Sequence, residues 1–140
     1  MKIVRKMKYS DEVMKSFYQQ MGKLFYAIAA ADKTVRKEEL EALKKLVRSE
    51  WLKLDETYDE FGSDSAYQIE IVFDWLTENE WDMEDTISGL KDFREVHPSL
   101  FTDRVNTLII KTASAIADSF QGKNKSELTI LTQLGSILSS

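Results

Sequence analysis

The sequence predicts an all-α fold, and three observations carry that prediction. Long segments repeat apolar residues every three or four positions, the stripe of an amphipathic helix. Five glycines and one proline in 140 residues leave few breakers. No stretch sustains the period-two alternation of a half-buried strand. A compact bundle of about six or seven helices in one domain, residues 1–140, follows, with residues 1–9 as a short basic N-terminal segment.

The elements follow in order. Ser10 is placed to cap a first helix over about residues 11 to 31, and Asp11 and Glu12 suit its positive end. Val13, Met14, Phe17, Met21, Leu24, Phe25 and Ile28 form its stripe. A polar link, Asp32 to Arg36, leads to a second helix carrying Leu40, Leu43, Val47, Trp51 and Leu54. Residues 55–64 are acidic and turn-rich, a loop. Ser65 and Gln68 have capping-box spacing and open a third helix through Ile69, Val72, Phe73 and Leu76. Asp82 caps a fourth, with Met83, Ile87, Leu90 and Phe93, which stops at His97-Pro98. A fifth buries Val105, Leu108, Ile109, Thr112, Ala113, Ile116 and Ala117, and residues 121–125 end it. Leu128, Leu131, Leu134 and Leu138 make the inward stripe of a last helix.

Composition excludes more chemistry than it proposes. Apolar residues at 43% and aromatics at 11% are globular values. Without cysteine there are no disulfides, thiolate metal sites or cysteine nucleophiles. A single histidine argues against zinc and Ser-His-Asp chemistry, and His97 suits the C-terminal dipole of the fourth helix. There is no phosphate-binding glycine loop, and we expect no enzyme. No apolar run approaches the about 18 residues of a membrane span, and the basic start lacks the apolar region of a signal peptide; both fit a cytoplasmic protein without membrane insertion.

The net charge of −5 hides a partition: residues 1–49 carry +6, residues 50–85 carry −12 and residues 86–140 carry +1. The block from Glu50 to Asp85 would repel phosphates and attract cations or a basic protein, so nucleic acid is not an expected partner. Phe17, Phe25, Phe73, Trp75 and Phe93 lie at core spacing, whereas Trp51, Trp75 and Trp81 flank the acidic segment and could instead line a partner surface.

The two ends of the chain echo each other. Residues 29–43 and 115–131 each contain an alanine-rich helix end, an Asp, a polar link and Glu-Leu-x-x-Leu. Ala29, Ala31, Asp32, Val35, Glu39, Leu40 and Leu43 form one copy; Ala115, Ala117, Asp118, Glu127, Leu128 and Leu131 form the other. In this repeat the chain resembles the TerB family of tellurite-resistance proteins and TerB-like domains. Lys33 and Ser119 stand where the family motif has glycine. The resemblance implies a helical stress-response module whose repeated acids hold a divalent cation.

Asp32, Glu39, Asp118 and Glu127 are therefore the candidate metal ligands, with Ca²⁺ or Mg²⁺ as the ion. Hard cations take oxygen donors, about six to eight of them for Ca²⁺. The competing reading is local: an Asp in a helix link bonds its own backbone, and a Glu in a first turn complements the dipole. An EF-hand is excluded, because Thr34, Arg36 and Lys37 occupy positions 3, 5 and 6 counted from Asp32. Two functions are carried forward: a cation-binding TerB-like module, and a protein-interaction adaptor that docks a basic partner on residues 50–85.

Overall fold

The computed structural model describes residues 10–31, 35–55, 65–79, 82–119 and 125–139, and every regular element among them is helical. Helix α1 (Asp11–Ala29) begins as its sequence dictates: the Ser10 hydroxyl accepts the Val13 N–H at 3.1 Å. All the stripe residues except half-buried Val13 are buried. The burial is wider than one stripe, however. From Leu24 to Ala30 every residue is buried, because α1 packs against α4, α5, α6 and α7. It is the central helix.

Helix α2 (Lys37–Leu46) runs without a break through a π-helical turn (Val47–Trp51) into the short α3 (Leu52–Asp55). The Leu52 N–H reaches back to the Val47 carbonyl, five residues away, which is the signature of that turn. Leu43, Val47, Trp51 and Leu54 face the core, as the spacing predicts. The expected capping box at Ser65 is displaced: Ser65–Tyr67 form a 3₁₀ turn, and α4 (Gln68–Leu76) follows with Tyr67 at its N-cap position. Ser65 thus lies inside the helical path.

Asp82 caps α5 (Met83–Val96), its Oδ1 accepting the N–H groups of Glu84 at 2.7 Å and Asp85 at 3.3 Å. The helix ends at His97, and Pro98–Leu100 make a second 3₁₀ turn. The Thr102 hydroxyl then accepts the Val105 N–H at 3.2 Å and starts α6 (Asp103–Asp118). All seven inward residues predicted for α6 are buried. In α7 (Lys125–Ser139) the buried set among the described side chains is Ile130, Leu134, Ile137 and Leu138, with Leu131 half-buried; the side chain of Leu128 lies outside the described residues. That corrects the leucine-only stripe, since the helix turns two isoleucines inward as well. Counting α2 and α3 as one rod, six helices form the bundle among the described residues.

Two features hold the centre. Phe17 touches Tyr18, Trp51, Phe93 and Phe101, with ring centroids 5.2 to 6.3 Å apart. Fully buried Trp51 donates its indole N–H to the Thr112 hydroxyl at 2.9 Å, and that hydroxyl donates to the Leu108 carbonyl at 2.8 Å. Gly22 lets α1 and α4 approach closely: a Cβ there would stand 2.8 Å from the Ile69 carbonyl oxygen and 2.9 Å from Val72 Cβ. Among the described residues no helix is long and apolar enough to cross a membrane.

Candidate functional site

The four candidate metal ligands meet different fates. Glu39 is 1% exposed, in the first turn of α2, where its Oε1 accepts the Arg36 N–H at 2.7 Å. It ties down the helix start, the local role weighed against coordination. Asp118 is the last residue of α6 and is exposed. Glu127 lies in the first turn of α7, but its side chain, like the whole of Asp32, falls outside the described residues. Among the described residues no three carboxylate or imidazole groups are placed to hold a metal ion.

In the acidic block, Glu56, Asp59, Glu60, Asp64 and Glu80 lie outside the described residues, and several of the other acids are engaged. Glu50 faces Lys111 at 3.3 Å, and buried Asp55 accepts the Tyr18 O–H at 3.0 Å. Glu70 is mostly buried and pairs with Arg48 at 3.4 Å, and Asp82 is occupied as a cap. Asp74, Glu78, Glu84 and Asp85 remain exposed. Two of these, Asp74 and Glu78, belong to α4 and the turn after it.

Helix α4 is apolar on both sides. Ile69, Phe73 and Leu76 are buried against α1 and its surroundings. Tyr67, Ile71 and Trp75 stand four residues apart on the opposite face, exposed by 36%, 54% and 59%. Beside this row stand two exposed carboxylates at the same spacing, Asp74 and Glu78, and α4 contains no basic residue. An aromatic–aliphatic stripe edged by carboxylates is thus the most distinctive surface of the described chain.

Sequence spacing assigned Trp75 to the core by default, and the structure overturns that: Trp75 is outside and Trp51 is the buried indole. Trp81 lies outside the described residues. Tyr67 and Ile71 were missed altogether. The signal was present in Gln-Ile-Glu-Ile-Val-Phe-Asp-Trp-Leu, a nine-residue helix with more apolar positions than one inward face can use. His97 closes α5 through its backbone N–H to the Phe93 carbonyl, and its ring lies 4.8 Å from that of Phe93.

No protein-family model, no curated protein and no solved structure matches the chain.

Proposed function

We propose that the protein is a non-catalytic docking module that binds a basic, amphipathic protein segment on the outer face of α4. The observation that carries this reading is the exposure of Ile71 and Trp75 on one helix face beside Asp74 and Glu78. A large aromatic and a branched aliphatic left in water lose the burial that they would gain against a partner, and such residues anchor interfaces. The parallel carboxylates select the sign of the partner's charge and steer its approach. A helix with apolar residues at i, i+4 and i+8, edged by lysine or arginine, satisfies both rows.

Trp75 reports on the test. Titration with a Leu/Lys amphipathic peptide should shift its emission to the blue, with a midpoint that weakens as salt is raised. A Leu/Glu peptide of the same pattern should not bind. Replacing Ile71→Ser should abolish binding without changing the melting temperature, because the residue is exposed. Equal binding of both peptides, or binding that ignores Ile71→Ser, would overturn the proposal.

A second reading rests on the repeat: α1–α2 and α6–α7 are both helix–link–helix pairs with Glu39 and Glu127 in the first turn of the second member. On that basis the protein would be a TerB-like stress-response module that holds Ca²⁺ or Mg²⁺ between the links. Against it stands the engagement of Glu39 at the Arg36 N–H.

A further inference from the structure

Helices α1 and α5 pack side by side and antiparallel, with Phe17 against Phe93 and Gln20 against Gly89. A groove of about 510 Å³ runs between them, from Glu12 and Val96 at one end to Gln20 and Gly89 at the other. That volume falls within the range of small-molecule sites, roughly 300–1,000 Å³. The helical rise from Glu12 to Gln20 gives the groove a length of about 12 Å. Toward the end of α5 its walls are apolar: Val13 and Phe93 are half-buried and Val96 is 70% exposed. At the other end the Gln20 amide lies over Gly89, where a Cβ would stand 3.2 Å from Gln20 Oε1. Glycine is a poor helix former, so helix formation does not account for its place inside α5. The rim carries two exposed carboxylates, Glu12 and Asp92, and among the described residues no lysine or arginine lines the groove. We infer that this groove binds a small organic amine in its ammonium form, with the apolar body over Val13, Phe93 and Val96 and the charge at Asp92 and Glu12.

Three observations select a cation. First, neither Glu12 nor Asp92 takes part in an ion pair or a side-chain hydrogen bond among the described residues, so both carboxylates are open to a ligand. Second, Asp92 lies near the C-terminal end of α5, where the helix dipole disfavours an acid. Ser88, Gly89, Glu95 and Val96 hold the positions three and four residues away, so its own helix offers it no cation. Glu12 offsets the positive start of α1, which leaves Asp92 and the carbonyl end of α5 to set the sign of the groove. Third, α5 sorts its charges: its two bases, Lys91 and Arg94, line a different cleft, against Ile137 of α7. The rings of Phe93 and His97, 4.8 Å apart, add aromatic surface on which an ammonium and its apolar body can rest. No residue of α4 lines the groove, so the inference stands apart from the docking face.

The probe is 4-phenylbutylamine, titrated at pH 8 into the full chain by calorimetry and by amide NMR, with 4-phenylbutan-1-ol and 4-phenylbutyrate as neutral and anionic controls. At that pH an alkylamine is protonated and an ordinary imidazole is neutral. The expected result is saturable amine binding with shifts centred on Val13, Gly89 and Phe93. The alcohol should bind at least about fivefold more weakly, as should the amine to the Glu12→Gln/Asp92→Asn variant, since each loses two exposed ion pairs. The acid should not saturate. Ile71→Ser should leave amine affinity unchanged, which separates this groove from the α4 face. Both substituted acids are exposed, and if the double variant melts early the contrast of amine with alcohol in the unaltered chain still decides. Absence of saturable amine binding overturns the inference. So do equal affinities for amine and alcohol, affinity unchanged in the folded double variant, or shifts centred away from the groove.

Discussion

Replacing Thr112 by valine should cost far more than the change of one hydroxyl for one methyl suggests. Valine keeps the branched shape and nearly the same helix propensity, so packing and backbone are preserved. What is lost is the acceptor of the Trp51 indole N–H, 2.9 Å away, in a place where neither side chain is exposed to water. A buried donor left without a partner costs about 1–3 kcal/mol. The Leu108 carbonyl, which also accepts from Thr112, keeps its place in the α6 ladder and adds little. The net expectation is about 2 kcal/mol, or roughly 6–10 °C of melting temperature for a domain of this size. Urea unfolding followed by circular dichroism measures it, and a double-mutant cycle isolates the cause. In a Trp51→Phe background there is no indole N–H to strand, so Thr112→Val should cost less than about 0.5 kcal/mol. If Thr112→Val is equally costly in both backgrounds, the hydrogen bond is not the reason, and the account of this core is wrong.

Three further outcomes follow from single residues. Gly22→Ala should destabilise by about 1–2 kcal/mol in thermal unfolding, because the gain of about 1 kcal/mol in helix propensity is outweighed by a Cβ pressed against the rigid Ile69 carbonyl and Val72 Cβ; a stabilised variant would refute the close α1–α4 approach. Glu39→Ala should lower stability by about 1 kcal/mol equally in chelator and in Ca²⁺, the signature of a lost helix-start bond; a loss that appears only when Ca²⁺ is present would favour coordination instead. Burial raises the Tyr26 phenol above its ordinary value near 10. From that pH upward the unfolded chain sheds a proton that the folded chain retains, so stability should fall as pH rises until the folded phenol also ionises. Tyr26→Phe should remove this alkaline slope, and an unchanged slope in phenolate-absorbance and melting experiments would contradict it.

The caps at Ser10 and Asp82 and the stop at His97-Pro98 were legible because each is settled within a few neighbouring residues. The same holds for the α6 face, where one dominant stripe leaves a single way to turn the helix. The π turn at Val47–Trp51 was not legible: it changes the register of a helix without breaking its apolar spacing. Ser65 misled for a related reason, since capping-box spacing also occurs within a 3₁₀ turn that extends a helix backwards.

The candidate site divides along the same line. Charge sums marked residues 50–85, but only the packed structure shows Glu50, Asp55 and Glu70 engaged by Lys111, Tyr18 and Arg48, with Asp74 and Glu78 left outward. By itself the sequence determined that this protein is helical, where most helices begin and end, and that it has no cysteine for disulfide or thiolate chemistry, because those follow from residue type and local period. The tertiary structure alone decided that Trp51 is core while Ile71 and Trp75 face water, and that Glu12 and Asp92 flank one groove between α1 and α5. Burial belongs to the pairing of faces, and a helix with two apolar faces acquires an inside only when a neighbour, here α1 at Gly22, covers one of them.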